Sequence, residues 1–293
     1  MGGSEALADL TGRRTIGPMD ARDESLALAR RELVLVAMVL VAAARLVDRD
    51  SAFAVAGILP AAMLLAGLGA VGRTESRSRP FEALLIPAVL TGGAGAAVHL
   101  VPIGLGLVPA LAAFGVVLDR VLALELRLLA QTTGLTESDR SRALLAAVAA
   151  AFVAFTGVAA LVPGGLAEPG GGVASGGSVA LSETGLMALA AVDALAALVL
   201  GFRVASFRLG TVRDAIRSAL TYGIVVAVAA GAVRAIDLPR LVGPAVLTLV
   251  FYLWDALHGS APARRRDPRF VWEAILLALL AIVVAAWNLR LRG

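Results

Sequence analysis

Residues 181–201 read LSETGLMALAAVDALAALVLG, an apolar run with one carboxylate, Asp193, near its centre; residues 202–217 continue as FRVASFRLGTVRDAIR, with Arg203, Arg208, Arg213 and Arg217. About twenty mostly apolar residues cross the hydrocarbon of a bilayer as a helix, and arginines clustered beyond one end hold that end on the cytoplasmic side. The same alternation of apolar run and arginine-bearing connection recurs along the chain. It predicts an all-α polytopic integral membrane protein with about nine transmembrane helices.

Composition agrees. Of 293 residues, 59% are hydrophobic and 16% charged, with mean hydropathy +0.87, whereas soluble domains carry about 25% charged residues. Lipid can cover such apolar surface where water cannot. The net charge of +4 rests on arginine, because no lysine occurs, and this excludes Schiff-base chemistry. The absence of cysteine excludes disulfides, thiolate nucleophiles and iron–sulfur ligation. Two isolated histidines, His99 and His258, do not make a conventional zinc site. No metal and no cofactor is expected.

From the N-terminus, residues 1–30 form a mixed-charge cytoplasmic tail whose last part, Ala21 to Arg31, suits a short interfacial helix. It does not read as a cleaved signal peptide, since the first apolar run starts late and many follow. Residues 31–50 hold the first span, Leu33 to Val47, followed by Ala52 to Val71 with Pro60, Phe81 to Leu100 with Gly92, Gly93 and Gly95, Ile103 to Leu118, and Ala143 to Val162. The glycines suit close helix approach or a local break. The fourth helix is expected to continue past the membrane through Asp119, Arg120, Glu125 and Arg127. Residues 163–180 are a glycine-rich extracytoplasmic linker and the natural place to divide the chain. The later spans are Leu181 to Gly201, Ala215 to Ala235, Leu241 to Leu257 and Phe270 to Trp287.

Nine spans place the termini on opposite sides. Twenty of the twenty-six arginines fall in segments on the N-terminal side and six on the other, so the positive-inside rule puts the N-terminus in and the C-terminus out, in a cytoplasmic (inner) membrane. Spans two to five, residues 51–162, also align with spans six to nine, residues 181–290. The alignment pairs Glu82 with Asp214, Leu118-Asp119 with Trp254-Asp255, and Asp139 with Asp267. Four is even, so such repeats would be parallel, with span one added outside and a site between the halves.

Asp193 is the leading candidate. A carboxylate at mid-span costs about 2.5–3.5 kcal/mol on insertion scales, so it is expected to face a cavity or a polar partner. Tyr252, Asp255 and His258 recur every three residues at the end of span eight, where Asp255 could orient the histidine for proton exchange. With Asp119 at the equivalent place in the first half, they are expected to line the cytoplasmic mouth of a substrate or proton pathway. No catalytic residue is assigned, because no nucleophile accompanies them.

The nine-span outline resembles the membrane prenyltransferases of the UbiA family, which implies aspartate-rich motifs for magnesium and diphosphate in two inner loops. The matching segments read GRTESRSRPFEA and FRVASFRLGTVRDA. Arg73, Arg79 and Pro80 are similar to the family's basic segment, but Glu75, Glu82 and Asp214 do not rebuild the paired aspartates, which counts against prenyl transfer.

The function expected is that of a transporter or permeation-related protein for a small solute, with proton coupling through Asp193. A lipid-modifying membrane enzyme and a non-catalytic assembly subunit are the alternatives. Expected partners are membrane lipids, anionic ones at the arginine-rich cytoplasmic face, and a membrane-protein partner or a second copy of the chain, with no nucleic acid.

Overall fold

The computed structural model describes residues 18–71, 80–130, 136–161, 183–235 and 242–259, with isolated positions between 268 and 279. Among these, 92% of residues are helical and no strand occurs. The helices are α1 (Pro18–Ala44), α2 (Arg49–Val71), α3 (Pro80–Ala97), α4 (Leu107–Ala130), α5 (Glu137–Leu161), α6 (Glu183–Ser206), α7 (Val212–Ala235) and α8 (Val242–Gly259). Seven of them, α2 to α8, contain a segment long and apolar enough to cross a membrane. The ninth expected span, Phe270 to Trp287, lies largely outside the described residues, as do the 163–180 linker and Asp267.

Local chemistry sets the helix starts. Proline opens α1 and α3, where its missing N–H costs no helical bond. At α5 the Asp139 amide donates to Thr136 Oγ1 at 3.2 Å while that hydroxyl donates to Asp139 Oδ2 at 2.6 Å. Thr211 and Asp214 repeat both bonds at the start of α7. In each case a free amide of the first turn is satisfied. Gly104, at φ +121°, closes the turn before α4 in a region that only glycine enters easily.

Two boundaries differ from expectation. With no breaker between Met19 and Ala44, α1 runs without interruption from Pro18 into the first apolar run, absorbing the expected interfacial segment. The fourth helix begins later than expected, after Gly104 and Gly106, and reaches Ala130 as one rod.

Successive helices alternate in direction. The starts of α3, α5 and α7 and the ends of α4, α6 and α8 therefore share one end of the bundle. Exposed Arg120, Arg127, Arg140, Arg142, Arg213 and Arg217 gather there, and it is called the arginine-rich end below. Large apolar side chains face outward from the rods, among them Leu35, Ile58, Val116, Leu145, Leu195 and Val228, each at least 59% exposed. A lipid-facing surface requires such residues.

The centre of the bundle is α3, with thirteen buried residues from Ala83 to Ala96. Between helices surrounded by lipid there is little hydrophobic drive, and small residues that let backbones approach do the packing. A Cβ on Gly93 would come within 2.6 Å of the Ala154 Cα, and one on Gly157 would strike the Gly93 carbonyl, so α3 and α5 touch backbone to backbone. Gly92 lies under the ring of Pro60 on α2, and Gly201 of α6 lies under the Tyr222 ring of α7.

The pentapeptide PAVLT occurs at 87–91 in α3 and at 244–248 in α8. In both, the threonine hydroxyl donates to the proline carbonyl four residues back at 2.8 Å. These two helices run in opposite directions, so the identity falls outside the expected parallel repeat, which pairs α3 with α7 and α4 with α8.

Candidate functional site

Asp193 lies midway along α6 and is fully buried. Leu189, Asp193, Ala197, Leu200 and Val204, all buried, recur at spacings of four, four, three and four, which is one stripe of a helix. Asp193 therefore belongs to the inward ridge of α6. Leu195, 59% exposed, marks the opposite, lipid-facing side.

A neighbouring stripe of α6 borders a partly open cavity of about 300 Å³. Its walls come from 53–60 of α2, 89–96 of α3, 154–161 of α5 and 192–199 of α6, and every lining residue is Phe, Leu, Val, Ala, Gly or Pro. Phe53 and Leu195, 40% and 59% exposed, stand at its rim and open it sideways. The cavity occupies the half of the bundle away from the arginine-rich end. Val192 and Leu195 border it, whereas Asp193 projects from the adjacent stripe. The carboxylate and the cavity share a depth but not a surface.

One turn beyond Val199, α6 presents Arg203, 5% exposed. Its Nε donates to Glu125 Oε2 of α4 at 3.0 Å, a second guanidinium nitrogen donates to the same oxygen, and Nη1 lies 3.6 Å from Glu82 Oε2 of α3. The guanidinium also sits 4.0 Å from the centre of the Phe207 ring, a cation–π contact. Glu125 is fully buried, and its Oε1 has no hydrogen bond among the described residues. This cluster ties α6 to α3 and α4.

The connection from α6 to α7 is tied to α8 in turn. Arg208 donates to Tyr222 Oη at 2.8 Å and to Asp255 Oδ1 at 2.6 Å, and the Tyr222 hydroxyl donates to the same Asp255 oxygen. Burial alone lowers the Arg208 pKa, but the charge of Asp255 and the bonds to Asp255 and Tyr222 outweigh it and raise the value. The guanidinium is thus cationic throughout the accessible pH range. It fills the space that a side chain on Gly259 would need, which closes the loop against the end of α8.

The residues expected to form one mouth are distributed over the arginine-rich end. Asp119 pairs with Arg30 of α1 at 2.9 Å. Asp255, 5% exposed, belongs to the Arg208–Tyr222 group. His258 is exposed and stacks on Trp254, with ring centres 3.7 Å apart, while Trp254 Nε1 donates to Thr221 Oγ1 at 2.9 Å. Tyr252 is half-buried on α8. Asp119 and Asp255 each have their own arginine, one on α1 and one in the connection from α6 to α7. The pairs aligned in the repeat also differ in surroundings, since Glu82 meets Arg203 whereas exposed Asp214 accepts from Thr211 at the start of its own helix. His99 lies at the opposite end of the bundle from His258.

Glu82, Glu125, Arg203, Arg208 and Tyr222 are the polar groups that sequence reading left out of the site. A signal for two of them existed. Glu125 continues the buried stripe Leu118, Leu122, and Tyr222 continues Ala215, Ala219, at helical spacing. Among the described residues, no group of three or more histidines and carboxylates could hold a metal ion. Comparison with protein-family models, with curated proteins and with solved structures finds no match to this chain.

Proposed function

We propose that this chain is a transporter or permeation-related protein of the cytoplasmic (inner) membrane, with about nine spans, the N-terminus inside and the C-terminus outside. The observation that carries this reading is the cavity bounded by α2, α3 and α5 on one side and α6 on the other. One turn of α6 beyond it, toward the arginine-rich end, ion pairs join α6 to α3 and α4. A site between two helix groups that are latched at one end suits alternating access, in which the groups rock about that site. The ion pairs Arg30–Asp119 and Arg127–Asp139 stay within α1–α5, and Arg208–Asp255 stays within the second group. Each group thus has internal ties, and Arg203 provides the latch between them.

In this reading Asp193 is the protonatable group at the depth of the site, and anionic lipids contact the exposed arginines. A lipid-modifying enzyme is less well supported, because the cavity lies away from Asp255 and His258.

The absence of cysteine gives a clean background for spin labels at Phe53→Cys and Leu195→Cys, across the rim. In reconstituted bilayers two distance populations are expected, and Glu125→Gln, which weakens the latch, should shift the balance toward the narrower rim. One distance, unchanged by Glu125→Gln, would refute transport by rocking.

A further inference from the structure

We propose that the lateral cavity binds hydrocarbon chain, so that its ligand is an amphiphile with a long alkyl tail. The inference deepens the transport reading only in calling that molecule the cargo; as a binding site it stands on the shape, chemistry and depth of the groove.

Each wall runs over two helical turns, about 10 Å at 1.5 Å per residue. Over that length a helix with its side chains, about 10–12 Å across, fills on the order of 900 Å³, well above the 300 Å³ of the cavity. Neither a partner's transmembrane helix nor one from a second copy therefore fits. A polar solute would leave its hydrogen-bonding groups without side-chain partners, since no lining residue carries a polar side chain. A polymethylene chain is narrower than a helix and has no polar group to satisfy.

The back of the slot is formed where Gly92 meets Pro60 and Gly93 meets the Ala154 backbone. These close contacts seal it toward the bundle interior and leave the rim between Phe53 and Leu195 as the entrance. That rim opens at the depth of the lipid tails, so a chain can enter sideways from the bilayer.

Gly57 supplies the test. It lines the groove, it is exposed, and a Cβ added there meets nothing within 4 Å, so Gly57→Leu fills the slot without a clash at its Cβ. The full chain is reconstituted in vesicles of phosphatidylcholine that carries a diazirine in its acyl chain, and after illumination the labelled positions are located by mass spectrometry. The site requires labelling of 154–161 and 192–199 well above that of the outer faces. Gly57→Leu should reduce it at least fivefold, with thermal stability unchanged and with labelling at Leu35, Val39 and Val228 unaffected. Leu195→Trp, which narrows the rim from a lipid-exposed position, should reduce it too if Gly57→Leu proves unstable.

Labelling of the groove no stronger than that of those outer faces, or insensitive to both substitutions, would overturn the proposal. Its loss beside intact two-population rim distances would leave the transport reading standing. Groove labelling sensitive to Gly57→Leu beside one fixed distance would keep the site and remove transport.

Discussion

Arg203 shows how much one side chain can decide in this bundle. Removing one member of a buried ion pair leaves the other charge without compensation, at a cost of about 3–5 kcal/mol. Arg203→Met should destabilise the protein by that amount in detergent unfolding, because Glu125 is fully buried. Arg203→Met combined with Glu125→Leu should recover part of the loss, since the fully buried carboxylate is gone while Glu82, 15% exposed, still lacks its contact with Arg203. A double variant as unstable as the single one would mean that the pair does not interact as described. At the neighbouring clamp, Tyr222→Phe removes a bond to a charged group and should cost about 1.5–3 kcal/mol. The raised Arg208 pKa fixes the sign of the pH dependence. Stabilisation from a raised basic group is complete below its unfolded value and is lost only as pH rises through the higher folded one. The melting-temperature difference between wild type and Arg208→Gln should therefore be the same at about pH 7 and pH 9.5.

At the scale of elements, the α3–α5 contact depends on having no side chain at Gly93 or Gly157. A methyl group at Gly93 would lie 2.6 Å from the Ala154 Cα, so backbone and not a mobile side chain must give way. Gly93→Ala should cost about 2 kcal/mol or more, in the range of an overpacked core. Gly231, where an added Cβ meets nothing within 4 Å, is the matched control. Gly231→Ala should be neutral or stabilising by up to about 1 kcal/mol, the difference in helix propensity. Equal effects at the two positions, measured by thermal unfolding in the same detergent, would contradict the close contact. The glycines of the third apolar run left two readings open in the sequence, close approach or a break. The helix continues through them to Ala97, and the approach of α5 accounts for them.

For the whole molecule, the orientation proposed from the arginines can be checked in the cysteine-free chain. Leu105→Cys lies in the turn before α4 at 98% exposure, and Ser141→Cys is exposed at the start of α5. With the N-terminus inside, an impermeant maleimide applied to intact cells should label Leu105→Cys, and should label Ser141→Cys only after permeabilisation. The reverse pattern would invert the topology. The all-helical class was legible in the sequence, because span length and arginine spacing are properties of contiguous residues. Seven apolar spans bear that out. The site was legible only in part. Asp193 announced itself as a lone acid in an apolar run, but Glu125 and Arg203 sat among other charges near helix ends and read as solvated.

Sequence by itself determined that this chain is a bundle of apolar helices, because each helix meets its backbone hydrogen bonds within its own segment and needs no distant partner. It also singled out the intramembrane carboxylate, since the cost of that group depends on the run around it. Only the tertiary structure decided that Asp193 sits on the stripe beside the groove, that Arg203 reaches carboxylates 78 and 121 positions away in sequence, and that four helices enclose a slot with no polar side chain. Those relations depend on the rotation of each helix about its axis. In an alanine- and leucine-rich chain, apolar residues face both lipid and core, so periodicity leaves that rotation open until the glycine contacts and buried charges settle it.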